Sequence, residues 1–428
     1  MITAPLPALT RRDVHPPRVP RKAVAVIGVR RSGKTSFLYQ CLADRLAAGR
    51  PRDSLLLLAL EDDRLDGITT DDLSWLVEEY YRQFPARRET AAVTLCLDEI
   101  QVVPAWERLV RRLMDTENIE LLISGSSAKL LSREIATALR GRAMEVLVHP
   151  FSFREVLRHA RMEPSGAWTR LGRSDRSALD ARLRDYLLCG GFPEAQGLNA
   201  RDRQKLLQGY VDTMVLRDVI ERHAVSNVVA LRWLQRELLA SPAGMFSISK
   251  FFNALKSQGV SVGKDTLHAY LSHLEDAFMI RTVALHTPSE RKRMVNSRKA
   301  YPVDPGLIPL FQRTTEPQTG HALETAVMLE LERREYQVGY VRTSDDLEVD
   351  FHASAHGRET LLLQVCADTS NASTLDRELR ALASARSVYP RARAILVTLD
   401  ADPPMGTLPA HIEWQPAARW LLEAEAPA

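Results

Sequence analysis

Eight residues near the amino terminus constrain this chain more than any others. Gly28-Val29-Arg30-Arg31-Ser32-Gly33-Lys34-Thr35 fits G-x-x-x-x-G-K-[ST], a loop whose backbone N–H groups wrap phosphate oxygens. Its flanks fit as well. Ala23-Val24-Ala25-Val26-Ile27 is a short apolar run of strand character, and Phe37 to Ala43 is patterned as a helix. Strand, glycine-rich turn and helix together bring a helix N-terminus, with its positive end, up to the loop. Gly28 and Gly33 permit the backbone conformations that point successive N–H groups inward. On this reading Lys34 reaches the β- and γ-phosphates of a nucleoside triphosphate and the Thr35 hydroxyl takes Mg²⁺. Val29, Arg30, Arg31, Ser32 and Ser36 complete the cradle, although Arg30 and Arg31 read first as exposed loop arginines, with contact to phosphates or a neighbouring subunit as the alternative.

Four further apolar runs follow, at Leu55–Leu60, Val93–Leu97, Ile119–Ile123 and Ala143–Val148. Helical stretches such as Trp106–Met114 separate most of them. Continuous apolar strands alternating with helices predict a parallel sheet covered on both faces. Ligands of such sheets bind at the carboxyl ends of the strands, and polar groups cluster at those ends here. Asp98 is placed to hold Mg²⁺, and Glu99 to orient and deprotonate the attacking water. The structural alternative is an N-cap Asp followed by a first-turn Glu. Ser124 reads as a sensor of the γ-phosphate or as part of a Ser-Gly turn. Arg140 and Arg142, in Leu139-Arg140-Gly141-Arg142, read as an arginine finger or sensor, in cis or in trans, or as the basic end of a helix before a glycine cap. A finger in trans requires an oligomer. Glu61, Asp62 and Asp63 end the second strand near the same edge and read as a solvated acidic loop, with tuning of Mg²⁺ as the alternative.

Composition narrows the class. A length of 428 residues suggests about two to four domains. A net charge of +3 leaves no global basic field, so any nucleic-acid surface must be local. Cys41, Cys96, Cys189 and Cys366 are widely spaced, a pattern of reduced, cytoplasmic proteins without a zinc site. Residues 1–20 carry Pro5, Pro7, Pro16, Pro17 and Pro20 with Arg11 and Arg12, and read as a loose arm and not a secretory signal. No run approaches the ~20 apolar residues of a membrane span, so no membrane partner is expected.

Several segments follow one another in a recognisable order. They are the glycine-rich loop at 28–35, Leu-Asp-Glu-Ile-Gln-Val-Val-Pro-Ala-Trp-Glu at 97–107, Ser-Gly-Ser-Ser-Ala-Lys-Leu-Leu at 124–131, Leu-Arg-Gly-Arg at 139–142 and His-Pro-Phe-Ser-Phe-Arg-Glu-Val-Leu at 149–157. Tyr210–Arg222 adds a further match. The set resembles the AAA-type ATPase family of archaea and bacteria whose C-terminal half is a domain of unknown function. The resemblance spans nearly the whole chain after residue 20. It implies ATP as ligand, Mg²⁺-dependent hydrolysis, and a helical lid and connector over 151–235. It does not supply the biological process.

The C-terminal half has its own patterns. Ile248, Phe251, Phe252 and Leu255, then Leu267, Tyr270, Leu271 and Leu274, fall at helical spacing on either side of a turn at Gly259. Strands near 278–285 and 300–303 complete a winged-helix-like module over 236–312. Arg291, Lys292, Arg293, Arg298 and Lys299 would lie on its wing and meet DNA phosphates. Such modules also dock proteins, which keeps a protein partner open. Residues 318–428 read as helix and strands in an order that looks like the restriction-endonuclease-like fold. Glu324 and Asp350 match its first two metal-binding positions. The third falls at Gln364-Val365-Cys366, which lacks both a carboxylate and the lysine that metal-dependent hydrolysis would use.

The expected architecture is therefore α/β: an arm over 1–20, a parallel-sheet ATPase core over 21–150, a helical lid, a winged helix and a C-terminal nuclease-like α/β domain. The expected function is an ATPase coupled to a half that binds DNA or a protein. An ATP-gated, metal-dependent nuclease and a slow-turnover ATP-binding adaptor are the alternatives.

Overall fold

The computed structural model describes residues 5–17, 19–90, 92–125, 141–312, 318–404 and 408–423. Arg140 and the Ser-Ser-Ala-Lys-Leu-Leu part of the 124–131 segment lie outside them. The chain divides into two compact units. The first is Met1–His149 with Asp276–Phe278, and the second is Pro150–Glu275 with Met279–Ala428.

The first unit is built on five strands: β1 (Ala23–Ile27), β2 (Leu55–Ala59), β3 (Val93–Asp98), β4 (Ile119–Ser124) and β5 (Ala143–Leu147). All are parallel, in the order β2-β3-β4-β1-β5. β1 and β3 are buried along their whole length, which is why β1 is wholly apolar and β3 is apolar but for Thr94 and the terminal Asp98. The helix Lys34–Ala47 places Phe37, Leu38, Cys41 and Leu42 against Val24, Val26, Cys96 and Leu122. The helix Trp106–Thr116 buries Trp106, Leu109, Val110 and Leu113, the i, i+3, i+4, i+7 stripe of an amphipathic helix. Because β1 sits beside β4, and β4 beside β3, the polar ends of β1, β3 and β4 converge at one edge.

The amino-terminal segment is not the loose arm that its prolines suggest. Leu6 and Val14 pack on the apolar cluster under the sheet. The Arg12 N–H donates to Gln40 Oε1 at 2.7 Å, and the Arg12 carbonyl accepts from Gln40 Nε2 at 3.1 Å. A buried amide side chain thus gives an extended segment the donor and acceptor that a neighbouring strand would otherwise supply.

In the second unit, helices Phe153–His159, Arg173–Cys189, Ala200–Thr213 and Val228–Ala240 come first, with a π-helical stretch at Met214–Glu221. The turn after Cys189 is held by Asp304, whose buried carboxylate accepts from the Gly191 N–H at 2.6 Å and the Gly306 N–H at 2.9 Å. The next strands are β6 (Met245–Phe246), β7 (Ile280–Val283) and β8 (Arg298–Pro302), which form a small antiparallel sheet in the order β6-β8-β7. Helices Ile248–Ser257 and Lys264–Asp276 lie between β6 and β7. The β7–β8 connection holds a short helix, Glu290–Val295, and not an open wing. Lys299 departs further from expectation: it is 3% exposed and cannot meet a DNA phosphate.

The C-terminal sheet contains β9 (Gln337–Arg342), β10 (Glu348–Ser354), β11 (Leu361–Cys366), β12 (Arg393–Thr398) and β13 (Ile412–Pro416), in the order β13-β12-β11-β10-β9. β9, β10 and β11 pair antiparallel, whereas β11, β12 and β13 pair parallel. The helix Thr319–Arg333 buries Leu323, Val327, Leu329 and Leu331 in a core shared with Phe351, Leu363, Ile395 and Val397. β13 and the helix Ala417–Leu422 go beyond what the sequence pattern predicts. Ile412-Glu413-Trp414-Gln415-Pro416 is short and ends in proline, which an edge strand tolerates because its outer side needs no donor. Among the described residues no helix is long and apolar enough to cross a membrane.

Candidate functional site

The glycine-rich loop follows β1 directly. Gly33 adopts a left-handed conformation with φ 95°, and the helix begins at Lys34. Val29 and Ser32 are buried, Arg30 is half-buried, and Arg31, Thr35 and Ser36 are exposed. Lys34 is 5% exposed, with its Nζ 3.3 Å from the carbonyls of both Gly28 and Val29. The ammonium therefore folds back over the loop's own carbonyls, at the centre of the ring of backbone groups. Ser32 Oγ is buried and has no hydrogen-bond partner among the described residues.

Three strand ends bring the remaining groups to this loop. The Thr35 hydroxyl donates to Asp98 Oδ2 at 2.6 Å. The Ser124 hydroxyl donates to Asp98 Oδ1 and accepts from the Glu99 N–H at 3.0 Å. Ser124 thus pins the β3 end through both of its neighbouring acidic residues. Burial pushes the Asp98 carboxyl above its ordinary range, although the Ser124 and Thr35 hydroxyls oppose the shift. Glu99 takes a left-handed conformation, φ 53°, and its carboxylate lies 3.8 Å from Lys34 Nζ. The Gln101 side-chain amide donates to Glu99 Oε2 and holds it there. Glu61, at the end of β2, is also held above the ordinary carboxylate range by partial burial and by the Glu99 charge. It belongs to the electrostatics of this edge as well as to an acidic loop.

A hydroxyl and a carboxylate bonded to each other at a phosphate loop are hard oxygen donors of the kind Mg²⁺ takes. The loop also has an unpartnered buried hydroxyl in Ser32 and, at residue 28, glycine where a Cβ would not fit. These features fit a Mg²⁺–nucleoside triphosphate, and Thr35 and Asp98 are the residues that would hold the metal.

Arg142 lies elsewhere. Its carbonyl accepts from the Ala23 N–H at 2.9 Å, which places it at the start of β5, beside the start of β1. The five residues of β1 separate that position from the loop, about 16 Å along the strand. Its guanidinium pairs with Asp115 on the surface. The cis alternative for Arg142 is therefore corrected: within one chain it does not reach the nucleotide loop. Arg140 lies outside the described residues.

Arg12 is a contact that sequence reasoning missed. It is 5% exposed, donates from Nη1 to the Ser32 carbonyl at 2.8 Å, and donates from Nη2 to the His149 carbonyl. It ties the glycine-rich loop to the segment after β5. No local pattern could reveal it, because His149 lies 137 residues away in sequence. Charge-assisted hydrogen bonds of this kind contribute about 1.5–3 kcal/mol each. Arg12→Ala is expected to weaken ATP binding about tenfold by loosening the loop, and Arg12→Lys to recover part of the loss. Calorimetric titration with ATP reads both, and an unchanged affinity in Arg12→Ala would show that the contact does not set the loop's shape.

In the second unit the residues matched to a nuclease do gather. Glu324 Oε1 accepts from the Tyr301 hydroxyl at 2.8 Å, and Asp350 Oδ2 accepts from the Val365 N–H at 2.9 Å. Gln364 Oε1 accepts from the Asp350 N–H at 3.3 Å, while its amide nitrogen donates to Glu378. Burial and the Asp350 charge push the Glu324 carboxyl well above its ordinary value.

A family model described as an AAA domain matches residues 20–157, and one described as a domain of unknown function (DUF8612) matches residues 180–318. The chain is 32% identical over 375 residues to the uncharacterized protein MJ1544 of Methanocaldococcus jannaschii, covering 86% of this chain and 80% of that protein. It is 29% identical over 341 residues to an uncharacterized protein of Haemophilus influenzae, covering 79% of this chain and 81% of the relative. Among solved structures, the Walker-type ATPase PABY2304 of Pyrococcus abyssi is similar at 17% identity and a TM-score of 0.44, over 73% of this chain and 99% of that one. A similarity at that level adds nothing to the assignment. The identity to MJ1544 runs through both halves, so the chain belongs to the family of that archaeal protein, with an AAA-type ATPase domain followed by a domain of unknown function.

Proposed function

We propose that the chain is a Mg²⁺-dependent ATPase whose nucleotide state governs what its C-terminal half binds. The observation that carries this reading is the Thr35–Asp98 hydrogen bond at 2.6 Å, formed at the mouth of a glycine-rich loop with Glu99 3.8 Å from Lys34. Backbone N–H groups from Val29 to Thr35 bind the phosphates, and Lys34 turns from the loop carbonyls to the β- and γ-phosphate oxygens. Thr35 and Asp98 would hold Mg²⁺, which would supply positive charge against the negative charge that develops during phosphoryl transfer. Glu99 accepts a proton from the water that attacks the γ-phosphorus, as the bond from that phosphorus to the β–γ bridging oxygen breaks. Ser124 and Gln101 keep Asp98 and Glu99 in register for these tasks.

The second unit is proposed as the partner-binding half, with DNA or a protein as its partner. Arg291, Lys292 and Arg293 are exposed on the short helix after β7 and suit an acidic or phosphate-bearing surface. The same helix exposes Met294 (77%) and Val295 (75%), which suits a protein surface equally. The central test is nucleotide binding. Lys34→Ala is expected to raise the dissociation constant for Mg²⁺–ATP about 100-fold, the loss of a buried charge contact worth ~3 kcal/mol. Titration calorimetry reads the change, and wild-type affinity in that variant would sink the proposal.

A further inference from the structure

The second unit contains a buried cluster of charge that ATP hydrolysis does not use. Lys299, on β8, is 3% exposed. Its Nζ lies 2.9 Å from Glu324 Oε1, 2.9 Å from Asp350 Oδ1 and 2.7 Å from Glu348 Oε1. The contacts to Glu324 and Asp350 are hydrogen bonds, and the contact to Glu348 is an ion pair. These carboxylates come from the helix Thr319–Arg333, from Asp350 within β10 and from Glu348 at the β10 entry. The lysine reaches them from the small sheet.

Glu324 and Asp350 occupy the positions at which a nuclease of this fold would hold its metal. A divalent ion there needs oxygens at about 2.0–2.6 Å, arranged around an open centre. In this chain the centre between the carboxylates is filled by nitrogen. Two independent features point the same way. Asp350 Oδ2 is committed to the Val365 N–H, and the third position carries Gln364, whose side chain is spent on the Asp350 N–H and on Glu378. Asp350 Oδ2 and both polar atoms of the Gln364 side chain are thus already engaged within the protein.

We propose that the Lys299 ammonium is the resident cation of this cluster and stands where a divalent metal ion would have to bind, so that the C-terminal sheet carries no metal-dependent nuclease chemistry. The cluster then serves to bind β8 to the C-terminal sheet through one shared charge. A buried charge of this kind is costly to uncover, and the lysine's four-carbon stem lets it reach across.

Terbium luminescence tests this directly on the full chain, because the Tyr301 hydroxyl lies 2.8 Å from Glu324 and its ring is a sensitiser at the cluster. Measurements are made without nucleotide and in an Asp98→Asn background, which removes the carboxylate bonded to Thr35 at the glycine-rich loop. The wild-type cluster is expected to give no sensitised emission. Lys299→Met is expected to bind one equivalent of Tb³⁺ about tenfold or more tighter than Lys299 protein, and adding Asp350→Asn is expected to abolish that binding. Lys299→Arg keeps the positive charge and is expected to stay metal-free. A Lys299→Met protein that folds only with Mn²⁺ present also supports the proposal. Emission from the Lys299 protein that Asp350→Asn removes would overturn it, as would metal binding by Lys299→Arg or a folded Lys299→Met that binds none. If Lys299→Met folds under no condition, the Lys299 and Lys299→Arg proteins decide the matter alone. None of these outcomes touches ATP binding at Lys34, so this proposal and the ATPase reading fail separately.

Discussion

Glu99→Gln is expected to lower ATP turnover by about 10²–10⁴-fold while leaving ATP affinity close to that of the unmodified protein. The substitution keeps the size of the side chain and one acceptor oxygen for the Gln101 amide, so the hydrogen bond that positions residue 99 survives. The Glu99 N–H bond to Ser124 is a backbone contact and survives as well. The change removes the ability to accept a proton from water. It also removes a negative charge beside Lys34, which favours phosphate binding slightly. Phosphate release under saturating ATP, together with calorimetric ATP titration, separates the two effects. Unchanged turnover would take Glu99 out of the reaction and turn attention to Glu61, whose raised carboxyl responds to the same charges.

The second large effect is expected at Gly28. Its φ is +148°, a conformation that residues with a Cβ rarely adopt, and a Cβ there would stand 2.3 Å from the Val148 carbonyl oxygen. That oxygen cannot yield easily: the Val148 N–H donates to the Ile27 carbonyl at 2.8 Å, which locks the end of β5 to the end of β1. Gly28→Ala must therefore displace the loop, not its neighbour. Displacement turns the inward N–H groups away from the phosphates they serve. ATP affinity is expected to fall about 100-fold, and thermal stability to fall by a few degrees, given backbone strain of about 1–3 kcal/mol. Nucleotide titration and a thermal melt check both. A Gly28→Ala protein that binds ATP normally would mean that the loop rearranges on binding and that its present shape is not the bound one.

Legibility from sequence followed the range of the interactions. The β1 strand, the loop and its helix form a contiguous stretch, so their apolar run, glycines and helical spacing are all readable together. The ends of β3 and β4 are readable because an apolar run that stops at Asp98 or Ser124 announces a strand end. The C-terminal strands β9 to β12 are readable for the same reason. β13 is not: five residues with a terminal proline carry no periodic signal, and the strand exists because β12 offers it a partner. Residues 5–17 mislead for a related reason. Proline-rich composition describes what a segment cannot form, and Gln40 and the sheet's underside decide where it docks.

The lysines and arginines show the limit most clearly. Lys299 sits in a basic run, Arg298-Lys299, and by pattern alone belongs on a surface; Arg12 sits beside Arg11 in the same way. A one-residue alternation along β8 sends Arg298 outward and Lys299 into the core, and only the fold brings three carboxylates to meet it. Arg142, read as a companion of the nucleotide, stands at the opposite end of its strand, because a parallel β5 begins where β1 begins. The sequence by itself determined the phosphate loop, the acidic end of β3 and the parallel character of the first sheet, since each is read from patterns of residues close together in the chain. The tertiary structure alone decided which buried charges face one another, since electrostatic partners are chosen by distance in space and not along the chain.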